Sequence, residues 1–363
     1  MPTLSRIREP SFRIGSGRYL QDSGIISTVG DEVLRLHAKR PLIIGGRTAL
    51  SLTRAKVEES LSAVGIVGEF VEYGGFCCVS HSDAVIAKHQ DTDIVIGIGG
   101  GNIMDAAKYM AAVKDVPVIN IPTSSATCAA FTPLSVCYTE EGGKDRSFHH
   151  KREVDCVIAD TEILCRQPVR LLLAGIYDSL AKIYELKQRM LGVPDEENDI
   201  GLRASYALSG FAADLLRDNM GKCIEDVKNG RNTKVVYDTV YVLIALTGVI
   251  SGLARGSNQC ALGHAVYESA RTLYPREVYS ALHGELVAIG LIVQNIYNGD
   301  VDIEKFIGEM RALGMPTTLS EVGVPACDES YGAFCEAILK STAMAGTTDG
   351  EQEKFKAAFK KIM

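Results

Sequence analysis

The run DIVIGIGGG at 93–101 constrains this chain more than any other stretch. A strand apolar at consecutive positions has no face left for water, so it belongs in a sheet covered on both sides, and such sheets are characteristically parallel. Comparable runs flank it: LIIGG at 42–46, EFVEY at 69–73, VPVINIPT at 116–123 and VDCVIAD at 154–160. Between them lie helical patterns, notably Ala49–Leu61 and MDAAKYMAAV at 104–113. Strands alternating with helices predict a Rossmann-like parallel sheet. The segment LSVCYTEEGGKDRSFHH (134–150) predicts a β-hairpin turning at Glu-Gly-Gly.

After Pro168 the strand pattern ceases. Long apolar-periodic segments from Val169 onward predict helices, interrupted at Gly192-Val193-Pro194, Gly230, Tyr274-Pro275 and Gly314-Met315-Pro316. The expected organisation is an α/β domain at 1–167 and an all-helical domain at 168–363, with ligands in the cleft between them. The length of 363 residues favours two domains by itself. Val235–Ala254 is about as long as a membrane span but contains Asp238, Gly248, Ser251 and Gly252, so it reads as a buried helix.

A net charge of −7 offers no basic stripe, which argues against nucleic acid as a partner. The N-terminal segment carries charges and a proline before any apolar run, so no signal peptide or membrane anchor is expected. Ten cysteines with no C-x-x-C motif fit reduced thiols in a cytoplasmic protein.

Chemistry concentrates at few positions. Gly99, Gly100 and Gly101 close a strand and open a helix, where bare backbone can approach a pyrophosphate and free N–H groups favour negative charge. A tight turn is the competing reading. In the helical half Asp178, His264 and His283 are polar groups set in apolar helices and must find partners. Lys182, one turn beyond Asp178, would suffice for the acid, and either histidine could be a satisfied core residue. Brought together, the three make a site with its fourth position open, as a catalytic divalent metal requires.

The motifs GIGGGNIMDAAK (97–108), IPTSSATCAAFTPLSVCYTEEG (121–142), DTEILCRQPVRLLLAGIYDSLAKIYE (160–185), HAVYES (264–269) and LHGELVAIG (282–290) run over most of the chain. Together they resemble the glycerol dehydrogenase branch of the iron-containing (group III) alcohol dehydrogenases. ATCAAFTPLSV is especially similar to the hydroxycarboxylate dehydrogenases of that branch, which reduce 2-oxo acids. The resemblance implies a dehydroquinate synthase-like fold, a homo-oligomer, an NAD(P) cofactor and a cleft zinc or iron. It implies reversible hydride transfer between nicotinamide and a small alcohol or carbonyl compound. Asp178, His264 and His283 take the positions of the metal ligands. Gly99, Gly100, Gly101, Asn102 and Asp105 take those of the pyrophosphate turn, and Thr123, Ser124, Thr132, Leu134 and Tyr138 those of further dinucleotide contacts.

Departures from the branch carry the discrimination. Where glycerol dehydrogenases have an Asp after the first strand, this chain has Gly46 and then Arg47, which favours the 2′-phosphate of NADP(H), unless Arg47 is only a surface residue. Where they carry a polyol-contacting Asp, this chain has Cys128, which favours a 2-hydroxy acid and 2-oxo acid pair, unless the thiol is only a small core residue. Tyr267 and Glu268 stand where a second His is frequent, leaving Tyr267, a ribose hydroxyl or water to deliver the proton. Tyr177 replaces a usual Gly and is expected to narrow the pocket, and Asn102 replaces a common Lys. The alternatives are an NAD-dependent glycerol dehydrogenase, a dehydroquinate synthase-like lyase and a nucleotide-binding protein with impaired catalysis. A glycerol-1-phosphate dehydrogenase would need a phosphate pocket that no motif supplies. His149-His150 reads as part of a solvated strand, with a chelating surface pair as the alternative.

Overall fold

The structure, a computed structural model, describes residues 14–191, 198–255, 259–299 and 301–363. The Gly192-Val193-Pro194 interruption and most of the N-terminal segment read for targeting lie outside the described residues. In chain order the first half comprises β1 (Tyr19–Asp22), α1 (Val29–Arg35), β2 (Pro41–Gly45), α2 (Arg47–Ala63), β3 (Glu69–Glu72), α3 (Val79–Lys88), β4 (Ile94–Gly99) and α4 (Gly101–Lys114). It continues through β5 (Val118–Pro122), β6 (Leu134–Tyr138), β7 (Lys144–His149), β8 (Cys156–Asp160) and the short α5 (Thr161–Leu164).

Six strands form one parallel sheet in the order β1-β8-β5-β4-β2-β3. Alternate residues of each central strand face opposite layers. Ile43, Ile96, Ile98, Ile119 and Ile121 pack with residues of α1 and α2, whereas Leu42, Ile44, Val95 and Val118 face the other layer with α3 and α4. Both faces are buried, which is why the strands read as unbroken apolar runs. From β2 the chain goes out to β3 on one side and to β4 on the other. A crevice therefore opens at the carboxyl ends of β2 and β4, where Gly45 is in register with Ile98. Gly46-Arg47 and Gly99-Gly100-Gly101 follow there.

Four elements of this half escaped the sequence reading: β1, α1, α3 and the short α5. β1 is an edge strand of four residues, mostly half-buried, whose YLQD has no continuous apolar signal. The hairpin forms as expected, with β6 antiparallel to β7. His150 corrects one expectation, because it is buried and its Nε2 lies 2.7 Å from Ser135 Oγ.

The second half is helical: α6 (Val169–Met190), α7 (Ile200–Lys228), α8 (Lys234–Tyr241), α9 (Thr247–Leu253), α10 (Leu262–Leu273) and α11 (His283–Asn298). α12 (Ile303–Ala312), α13 (Asp328–Leu339) and α14 (Asp349–Phe359) complete it. Lys234–Leu253 is long and apolar enough to cross a membrane, but about two-thirds of its most apolar window is buried against the rest of the fold. A π-turn at Val242–Leu246 divides it.

Glycines set how closely α6, α10 and α11 approach. A Cβ on Gly284 would lie 1.9 Å from the Ala174 carbonyl oxygen, and one on Gly290 would lie 2.4 Å from that of Gly263. No side chain fits at either contact, so these three helices meet backbone to backbone.

Candidate active site

The three polar residues singled out in the helical half arrive from three helices. Asp178 lies in the middle of α6, His264 in the first turn of α10, and His283 is the first residue of α11. Asp178 Oδ1 is 3.3 Å from His283 Nε2 and 3.5 Å from His264 Nε2. One candidate ligand atom from each residue falls within 4.8 Å of the others. Two ligands of a tetrahedral ion at about 2.0–2.2 Å stand about 3.4 Å apart, so the donor set fits a divalent cation with its fourth position open. Its chemistry, one carboxylate and two imidazoles, suits zinc or iron.

Local contacts aim these side chains. Glu185, fully buried on α6, accepts hydrogen bonds from the backbone N–H groups of Ala261 and His264 and from His264 Nδ1, the last at 2.6 Å. A proton held on Nδ1 leaves Nε2 as the ligating nitrogen. At the start of α11, Glu285 accepts from the Leu282 backbone N–H and from both Arg170 Nε and Arg170 Nη2, at 2.5 and 2.7 Å, which pins the His283 end of α11 to α6. Arg271, itself buried, donates to the carbonyls of Val278 and Ala281 and shapes the loop leading into His283.

Electrostatics favour ligation. Burial opposes ionisation of Asp178, but Lys182 and His283 beside it hold its carboxyl well below the usual carboxylate range. Burial lowers the pKa of His283 despite the pull of Asp178, leaving its lone pair available. His264 is also buried, yet Cys260 and Glu185 raise its pKa well above the ordinary value. A bound cation would displace that proton and make metal occupancy depend on pH.

These residues floor a cavity of about 1360 Å3 whose opposite wall is the sheet crevice. It exceeds the roughly 300–1,000 Å3 of an ordinary small-ligand pocket, as a dinucleotide with a substrate beside it requires. Its lining includes Gly99, Gly100, Gly101, Asn102, Asp105, Thr123, Ser124, Thr132, Leu134 and Tyr138. The first three lie at the end of β4 and the N-terminus of α4. Gly99 has the least room, since a Cβ there would meet Ile103 Cγ1 at 2.7 Å, and one on Gly101 would meet Thr127 Oγ1 at 3.1 Å.

Asp105 lines the cavity with its carboxylate already engaged, 2.9 Å from Lys108 Nζ and 3.2 Å from the Val136 N–H that donates to it. Lys108, overlooked in the sequence, donates to the carbonyls of Ala129, Thr132 and Leu134 and ties α4 to the segment over the crevice.

Arg47 and Cys128 also line the cavity. Arg47 is 85% exposed, and its Nε lies 3.0 Å from Glu72 at the end of β3. Cys128 is recessed near Asp178, and burial pushes its thiol up to about 11, so it stays protonated. Tyr267 Oη is 2.6 Å from Tyr138 Oη, with its ring centroid 4.2 Å from that of His283. Burial and Tyr138 keep the Tyr267 phenol protonated far above neutrality. Tyr177 does not narrow the cavity. It points away from the cleft and packs buried against Phe306, with ring centroids 6.2 Å apart. His149 and His150 form no chelating group with a third ligand among the described residues.

Residues 178, 182 and 185 follow the i, i+4, i+7 spacing of one helix face, and that spacing was a sequence signal for Lys182 and Glu185 as members of the site. Lys108 had a like signal in its i, i+3 spacing from Asp105, whereas Arg271 had none, because it acts on the carbonyls of a loop.

A parallel sheet facing a helical block across a dinucleotide-sized cleft, with a carboxylate and two imidazoles converging on its floor, defines a metal-dependent dehydrogenase. Residues 16–161 match the iron-containing alcohol dehydrogenase family. Glycerol dehydrogenase of Escherichia coli O6:H1 is 31% identical over 92% of this chain and 89% of its own length. Hydroxycarboxylate dehydrogenase A of Escherichia coli K12 is 30% identical over 86% of this chain and 85% of its own. The crystal structure of glycerol dehydrogenase from Schizosaccharomyces pombe superposes with a TM-score of 0.81 at 25% identity, covering 95% of this chain and 89% of that one. The chain belongs to the iron-containing alcohol dehydrogenase family, whose members are oxidoreductases that use NAD(P) and a divalent metal.

Proposed function

We propose that this chain transfers hydride between NADP(H) and a small 2-hydroxy acid and 2-oxo acid pair, as a homo-oligomer whose nucleotide-binding and metal-binding halves divide at residues 167 and 168. The observation that carries the substrate reading is Cys128, a protonated thiol recessed in the cleft near Asp178. A carboxylate there would accept hydroxyl hydrogen bonds from a polyol and repel an acid; a thiol does neither strongly.

Asp178, His264 and His283 would hold the metal, which when bound polarises the substrate oxygen and steadies the negative charge that hydride transfer develops there. The chain's own residues do the rest. Gly99, Gly100 and Gly101 leave the end of β4 open to the pyrophosphate, with Asn102, Thr123, Ser124, Thr132 and Leu134 bordering the nucleotide. Tyr267 donates the proton that completes reduction, and Tyr138, hydrogen-bonded to it, passes in a replacement. Arg47 would turn from Glu72 to the 2′-phosphate.

Glu72 favours a second reading. A carboxylate at the crevice edge can accept hydrogen bonds from ribose hydroxyls, which suits NAD(H) and, with it, glycerol oxidation. The deciding experiment measures NADPH against NADH oxidation by the metal-reconstituted protein across 2-oxo acids, aldehydes and dihydroxyacetone. The fastest turnover is expected with NADPH and a 2-oxo acid. A preference for NADH with dihydroxyacetone would replace this reading with the second.

A further inference from the structure

A buried cation lies beside the ligand set in the cleft. Lys182 lies one turn beyond Asp178 on α6, its side chain is 4% exposed, and it lines the cavity. Among the described residues its ammonium donates no hydrogen bond, and its ion-pair partner, Asp178 Oδ1, stands 3.8 Å away, too far to satisfy any of its three N–H groups. A buried lysine left without acceptors is costly. The neighbouring carboxylates do not relieve it, since Glu185 is spent on His264 and its backbone, and Asp178 faces two histidines.

We propose that Lys182 binds the carboxylate of the substrate and thereby selects 2-oxo acids over neutral carbonyl compounds. This rests on the 2-hydroxy acid reading above and names the residue that enforces it. Charge balance points the same way. A divalent cation and the Lys182 ammonium, set against the carboxylates of Asp178 and Glu185, leave one positive charge around the ligand set, beside the neutral Cys128 thiol. A monoanionic 2-oxo acid cancels it, whereas glycerol or dihydroxyacetone cannot. A carboxylate placed between cation and ammonium also supplies the acceptors that Lys182 lacks. Cys128 and Lys182 then act together: the thiol does not repel the acid, and the lysine attracts it.

The test uses oxamate, an unreactive isostere of a 2-oxo acid, titrated into the metal-reconstituted enzyme carrying its preferred reduced nucleotide, with binding read from nucleotide fluorescence. Lys182→Met should weaken oxamate binding by about 30-fold or more, on the scale of a lost charge-assisted hydrogen bond. It should also lower the ratio of kcat/KM for a 2-oxo acid to that for a neutral ketone by a similar factor. Lys182→Arg should recover much of both, which a merely structural role would not predict. Metal content is measured in parallel. If Lys182→Met binds oxamate as tightly as the native chain, the assignment fails while the 2-oxo acid reading stands. If the variant loses its metal, Lys182 serves to hold Asp178 and the assignment is overturned. If the native chain itself does not bind oxamate but reduces neutral ketones, the substrate reading falls and takes the Lys182 assignment with it.

Discussion

The two walls of the cleft are built from different materials. On the sheet side the surface is built around three glycines, the first turn of α4, and a segment held in place through its carbonyls by Lys108. On the helical side it is side chains, with Asp178, Lys182, His264 and His283 brought together by close helix contacts. Backbone presents N–H groups at fixed spacing to any phosphate, so that wall recognises what all dinucleotides share. Side chains can be exchanged one at a time, so that wall decides which metal, substrate and chemistry the cleft serves. The difference teaches that, in the enzyme proposed above, recognition of the common cofactor and choice of reaction fall to separate walls.

Damage to the helical wall should abolish chemistry and leave the nucleotide bound. Asp178→Asn removes the one anionic ligand, and kcat should fall by about a thousandfold or more, in the range seen when a principal electrostatic stabiliser is removed. Elemental analysis should show the metal lost, while the Kd for the nucleotide changes only a few-fold. If Asp178→Asn retains both metal and rate, the ligand assignment is wrong.

The opposite injury belongs to the sheet wall. Gly100 has an ordinary φ of −88°, and a Cβ there meets only Ser124 Oγ, at 3.3 Å. Gly100→Val should therefore fold and keep its metal, yet obstruct the pyrophosphate and weaken nucleotide binding by about tenfold or more. Equal loss of metal and nucleotide would show that the walls are not separable.

The smallest effect sharpens the comparison at its edge, where the sheet wall does use side chains. Arg47→Gln should lower the preference for NADPH over NADH by about tenfold or less, since the pair it forms is exposed and screened. Glu72→Gln, which frees Arg47, should raise the same preference. Steady-state kinetics with both nucleotides reads each change. Identical responses from the two variants would remove the pair from nucleotide selection.

How much of this was legible in the sequence depended on whether a signal was local. The central strands and their closing glycines announced themselves because burial on both faces leaves only apolar residues and tight turns. The hairpin and the helical character beyond Pro168 were equally readable. β1 was not, because an edge strand in a half-exposed position tolerates YLQD. At the site, the expected ligands do converge. Tyr177 misled because its neighbourhood to Asp178 in the chain implied neighbourhood in the pocket, whereas adjacent residues on a helix point about 100° apart. Arg271 left no trace because its partners are carbonyl oxygens, which every residue carries.

By itself the sequence determined the parallel sheet, the glycine-lined strand end and the helical second half. Each follows from residue type and spacing along one segment, which periodicity and backbone sterics translate directly. Only the tertiary structure decided that Asp178, His264 and His283 face one point, that Glu185 sets which nitrogen of His264 is free, that Glu72 engages Arg47, and that Lys182 is buried in the cleft without acceptors among the described residues. Those facts depend on tertiary packing, and the distances among the three ligands on how α6, α10 and α11 meet at Gly284 and Gly290, which no local pattern encodes.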